Sequence, residues 1–152
     1  MKHAKQLEAI LTNRKTLAYT ISKLDLNALN KVPDGYNNNI LWNLGHLISV
    51  SQSLIYGLGG EKYRVDKEVV KRFAPGTQPE VYTQDDLDLI NSLLVSSIEA
   101  LIEDCKEGKF SNYKEYLTRT RFMIDDLESA LLFNVYHEGY HMGIIVRLLN
   151  NL

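Results

Sequence analysis

The last long segment of the chain, Asp126 to Leu149, contains no proline and sets Leu127, Leu131, Val135, Ile145 and Leu149 at helical spacing. Side chains three and four residues apart share a helix face, so this segment reads as an amphipathic helix whose apolar stripe needs a covering partner. Three further stretches repeat the pattern. From about His3 to Leu29 the stripe runs through Leu7, Ile10, Leu17, Ile21 and Leu29. From about Ile40 to Tyr56 it runs through Leu41, Leu44, Leu47, Ile48 and Ile55, and from Thr83 to about Lys106 through Leu87, Ile90, Leu94, Ile98 and Leu101. Four such helices can cover one another, so the expected fold is an all-α four-helix bundle with long crossover connections.

Breakers and caps mark the same boundaries. Pro33 and Gly35 end the first helix, Asn37, Asn38 and Asn39 offer caps to the second, and Gly57-Leu58-Gly59-Gly60 ends it. Thr83 caps the third, with Asp85 and Asp86 complementing the dipole of its first turn, and Asp125 or Asp126 starts the last. Two connections are longer than a compact bundle usually needs. Glu61–Tyr82 is expected to hold a short helix over Asp66–Phe73 and to shape the entrance of any site. Tyr116, Thr118, Thr120 and Phe122 alternate as in a short extended piece. No repeat or linker divides the chain, and residues 1–152 are expected to form one domain.

Composition removes several classes of function. A formal net charge of -2 gives no electrostatic basis for binding nucleic acid or an acidic membrane surface. No apolar run approaches the roughly 18 residues that cross a bilayer, and the N-terminus lacks the apolar core of a signal peptide. The single cysteine, Cys105, fits a reducing compartment, so a cytoplasmic protein is expected. Asp104 and Glu107 beside it would raise its thiol pKa, which argues against a nucleophile.

The chemistry-bearing residues are histidines. His137 and His141 lie four apart, and with Leu127 as the zero of a 100° helical wheel they fall about 80° and about 40° to one side of the core direction. His46 flanks the apolar stripe of the second helix, beside Asn43 and Val50. Facing helices of a bundle bring such flanks together, and three neutral imidazoles suit zinc, nickel or ferrous iron with a position left for water or substrate. Glu138 falls close to the core direction itself, where a carboxylate is costly unless a donor or cation receives it. His137-Glu138-Gly139-Tyr140-His141 also spells the zinc-protease helix H-E-x-x-H, in which Glu138 would be the general base. The eleven residues after His141 carry no histidine or carboxylate, and no strand-rich half is visible to bind an extended peptide, so a peptidase is not the expected activity.

Asn43-Leu44-Gly45-His46-Leu47, Phe73-Ala74-Pro75-Gly76 and His137-Glu138-Gly139-Tyr140-His141-Met142-Gly143 together resemble the DinB/YfiT-like superfamily of four-helix-bundle metal-dependent enzymes, over most of the chain. The resemblance implies that His46, His137 and His141 bind a divalent metal. It also implies a homodimer, a small-molecule substrate, and chemistry of a hydrolase or of a transferase using a low-molecular-weight thiol. The chain departs from the pattern at Ile144, where family members often carry glutamine, and any role of that glutamine is missing here. Glu138 is the candidate base or orienting group. The competing expectation is a non-catalytic bundle dimer whose metal is structural or vestigial. Trp42, Tyr136 and Tyr140 are either pocket or core residues, and Arg119 and Arg121 either bind an anion at the bundle mouth or are simply solvated.

Overall fold

Side-chain caps set the helix starts of this protein, whose computed structural model describes residues 2–152. The helices are α1 (Ala4–Ile21), α2 (Leu26–Asn30), α3 (Ile40–Ser51), α4 (Lys67–Arg72), α5 (Gln84–Lys106) and α6 (Leu127–Leu149). Asn39 accepts from the Trp42 amide at the start of α3, Asp66 from the Glu68 amide at α4, and Thr83 with Asp86 forms a capping box at α5. Asp126 makes the corresponding box with Ser129 at α6. Each cap satisfies amides that the helix itself leaves without acceptors.

Two expectations need correction. The first helix does not run unbroken to Leu29: α1 ends at Ile21, and Asp25 accepts from the Ala28 amide at 2.8 Å to start α2 as a separate turn. An aspartate inside an apolar-periodic stretch competes for backbone donors and wins as a cap. The second helix does reach Gly57, but Gln52–Gly57 is a π-helical turn, with the Leu58 amide bonding back five residues to the Ser53 carbonyl at 3.1 Å. The extended piece near Tyr116 is a two-stranded hairpin, β1 (Tyr116–Leu117) pairing antiparallel with β2 (Met123–Ile124).

α1 packs on α5 and α6, and α3 packs on the same two helices, so α1 and α3 stand at opposite corners of a four-helix bundle. Every residue of α3 is buried, because α4 and its flanking loop cover the side that the bundle leaves open. The apolar interior forms two clusters, one around Leu17, Leu44, Leu94 and Ile145 and the other around Ile10, Ile55, Ile98 and Leu131. Between them every long helix contributes buried polar side chains: Arg14, Ser51 with Gln52, Ser97, and Asn134 with Glu138. Near the second cluster, Asp104 of α5 receives hydrogen bonds from Tyr56, Arg64 and Lys109 and ties the π turn and its following loop to α5. Burial opposes ionisation of Asp104, but those three donors together hold its carboxyl far below the usual range.

Candidate metal centre

α3 and α6 bring His46, His137 and His141 together, with one ring nitrogen of each lying within 4.8 Å of the others. Ring centroids stand 4.8 Å apart for His46 and His141, 5.3 Å for His46 and His137, and 4.5 Å for the pair on α6. No other group of three or more histidine, cysteine or acidic side chains of this kind occurs among the described residues.

The orientation of two of the rings is fixed from behind. His46 Nδ1 lies 2.8 Å from the Phe73 carbonyl, which can only accept, so this nitrogen carries the proton and Nε2 keeps its lone pair. The carbonyl gets there because Gly45 has no side chain: a methyl on Gly45 would overlap the Phe73 ring. Trp42 stacks beneath His46 at 4.6 Å between ring centres and is itself held by a 3.0 Å bond from Nε1 to Thr77 Oγ1. His141 Nδ1 lies 2.8 Å from Asn43 Oδ1, and the Asn43 amide nitrogen donates to the Asn39 carbonyl at 2.7 Å, which fixes the oxygen as the group facing the ring. Both of these rings therefore present Nε2 as a free acceptor. His137 has no such support, since its buried Nδ1 has no hydrogen-bond partner.

Burial holds all three imidazoles in their neutral form. It pushes His141 down to about 3 and His137 down to about 2, with further lowering from neighbouring imidazoles and Arg14, and it lowers His46 against the opposing effect of the Phe73 carbonyl. Neutral imidazoles with free lone pairs, one of them carrying an orphaned buried nitrogen, form a donor set that fits a divalent ion of the zinc or late-transition-metal type.

Beyond the histidines lies a cavity of about 630 Å³. Val50, Leu54, Leu58 and Phe133 give it an apolar wall, Ser53 and Leu54 come from the π turn, and Tyr136 and Tyr140 of α6 form part of its rim. The connection expected to shape the entrance contributes Pro75 from its far end, and the hairpin supplies Tyr116, Thr118, Arg119 and Thr120. Trp42 belongs to the core beneath the site, and Arg121 lies outside the cavity wall.

Glu138 is placed differently from a general base. Its carboxylate faces α1, where Arg14 Nε donates to it at 2.8 Å and Asn13 Nδ2 donates to its other oxygen. The rotation of α6 explains this, because Glu138 lies on the bundle axis side and the two histidines turn toward α3. Cys105 is half-buried, and burial together with Asp104 pushes its thiol up to about 11, too high for a nucleophile at neutral pH. Sequence reasoning placed Asn43 beside His46 and Phe73 in the crossover motif but gave neither of them a role in orienting the histidines. Asn43 lies one helical turn before His46, a spacing that puts the two side chains on one face.

Fold and site together define a helical bundle with a three-histidine centre between two of its long helices. The family model of the DinB superfamily matches residues 9–145, and the chain belongs to that superfamily. No curated protein gives a match to the chain.

Proposed function

We propose that this protein is a metal-dependent enzyme that acts on a small molecule, as a hydrolase or as a transferase using a low-molecular-weight thiol, with His46, His137 and His141 holding a divalent ion. One observation carries the reading: three neutral imidazoles, those of His46 and His141 fixed from behind, converge at the end of a cavity whose volume lies in the range of small-molecule sites. A bound divalent ion would supply Lewis-acid polarisation and lower the pKa of a water or thiol beside it. The chain's own residues contribute orientation through Asn43 and the Phe73 carbonyl, and an apolar wall that limits water. Glu138 is assigned to the bundle's internal ion pair in this reading. No helix is long and apolar enough to cross a membrane, and a cytoplasmic location is part of the proposal. So is a homodimer, supported by the exposed apolar side chains of Leu132, Tyr136, Tyr140 and Val146 on α6.

Metal analysis of the purified protein tests the reading. Zinc, nickel or iron is expected near one equivalent, and added metal is expected to raise the melting temperature of the stripped protein, by about 4 kcal/mol of stability at a thousand times Kd. His141→Ala is expected to abolish both effects. Native protein without stoichiometric metal, together with unaltered metal content and stability in His141→Ala, sinks the idea. A second reading, a structural or vestigial metal in a binding protein, draws on the lack of any aspartate or glutamate in the cavity wall among the described residues. A side chain completing the coordination would favour that reading over catalysis.

A further inference from the structure

We propose that the cavity beside the three histidines takes an anionic small molecule with an apolar body, and that Arg119 holds its acid group. The inference deepens the functional reading above and rests on it for treating this cavity as the substrate site.

The wall carries one permanent charge. Among the described residues Arg119 is the only lysine, arginine, aspartate or glutamate on it, and the rest is apolar, aromatic, hydroxyl or imidazole. Arg119 itself is exposed, so its pull on an anion comes from being the charge that faces an otherwise uncharged, largely apolar wall, and it repels a cationic ligand by the same measure. The guanidinium is also uncommitted. Arg14, Arg64 and Arg72 each bind a carboxylate, whereas Arg119 makes no ion pair and no side-chain hydrogen bond among the described residues. Its five donors in a planar fork match a carboxylate, sulfonate or phosphate.

The hairpin that presents Arg119 is a fixed support. Thr118 is buried, its amide donates to the Phe122 carbonyl at 2.9 Å, and its hydroxyl accepts from the Phe122 amide at 2.9 Å. Arg121 closes the turn in the left-handed region with φ 64°, its amide bonding to the Thr118 carbonyl at 2.9 Å. The turn thus separates two arginines that sequence alone treats as equals: Arg119 on the cavity wall and Arg121 off it. Leu54, Leu58 and Phe133 on the same cavity wall offer contact to the apolar part of the molecule.

The test uses two fluorescent probes of similar shape, 8-anilinonaphthalene-1-sulfonate and its uncharged analogue N-phenyl-1-naphthylamine, titrated into stripped and zinc-loaded protein. Wild type is expected to prefer the sulfonate. Arg119→Gln is expected to weaken sulfonate binding about three- to tenfold, the scale of one charge-assisted contact at an exposed rim, and to leave the neutral probe within about twofold. Arg119→Lys should keep part of the preference, and Arg121→Gln should behave as wild type. No sulfonate binding or preference in wild type, equal sulfonate affinity in Arg119→Gln, or equal loss of both probes overturns the inference. Zinc uptake measured on the same samples separates the two readings. Protein that takes no zinc but loses the sulfonate selectively in Arg119→Gln fails the metal reading and keeps this one.

Discussion

Arg14 of α1 and Glu138 of α6 form a buried ion pair midway along the bundle, with Arg14 Nε and Nη2 lying 2.8 Å and 2.7 Å from the same carboxylate oxygen. Both side chains are essentially without solvent contact. Removing one partner strands a charge in the core. Arg14→Met is expected to cost about 3–5 kcal/mol, whereas the double variant Arg14→Met with Glu138→Met should recover most of that loss, because an apolar pair of similar volume replaces both charges. Urea melts of the two proteins check this. A double variant as unstable as the single one would show that the pair contributes more than mutual neutralisation.

Asn43 links the cap of α3 to the histidine centre through Asn39, its own amide and His141. Asn43→Leu keeps the volume and removes the acceptor that holds the His141 proton on Nδ1. Metal affinity is expected to fall about 10- to 100-fold while metal stoichiometry is retained, as when a ligand's supporting hydrogen bond is lost. Competition against a chromophoric chelator measures it, and an affinity equal to wild type would remove Asn43 from the site.

Helical periodicity made the four long helices readable, because a stripe of apolar residues is a local signal of a global packing requirement. The histidine centre was readable for a related reason: His137, His141 and His46 flank those stripes, and bundle geometry brings flanks together. The same helical wheel put Glu138 close to the core direction, about 100° around the helix from His137, and in need of a donor or cation; which element supplies it stayed hidden, and it is α1. Its partner carried a signal, since Arg14 falls in register between Ile10 and Leu17 on the buried face of α1. The ending of α1 before Asp25 and the π turn after Ser51 turn on competition between neighbouring hydrogen bonds, which apolar spacing does not report. The alternation at Tyr116, Thr118, Thr120 and Phe122 signalled an extended piece, but the hairpin's place over the cavity is a long-range contact that a local pattern does not report.

Gly45 and Gly139 make a matched pair of opposite sign. An added methyl at Gly45 would overlap the Phe73 ring, while at Gly139 it would meet nothing within 4 Å. Gly45→Ala is therefore expected to lose about 1–3 kcal/mol through overpacking, beyond what the gain in helix propensity offsets, and to weaken metal binding by moving the Phe73 carbonyl from His46. Gly139→Ala should gain about 0.5–1 kcal/mol, the usual benefit of replacing a mid-helix glycine. Thermal melts and metal titrations of both variants decide the matter, and a stabilised Gly45→Ala with intact metal affinity would contradict the close approach.

The neutral histidines also set how stability depends on pH. Burial holds His141 at about 3 and His137 at about 2 in the folded protein and lowers His46 as well, whereas free imidazoles in the unfolded chain titrate near about 6.5. Below that value the unfolded state takes up protons that the folded state refuses, so the stability is fully present above it and is lost as pH falls. The carboxylates act lower down. Asp86 is held at about 2, chiefly by its bond from Arg72, and Asp104 lies well below the usual range, so their contributions are lost only as pH drops below about 4. Between pH 7 and pH 5 the histidines dominate. The urea midpoint of metal-free protein is expected to fall steadily across that window, and the slope should flatten in His137→Leu, which removes one of the suppressed titrations. A midpoint that stays level from pH 7 to pH 5 in the wild-type protein would mean that the imidazoles titrate normally and are not held in a dry, oriented cluster.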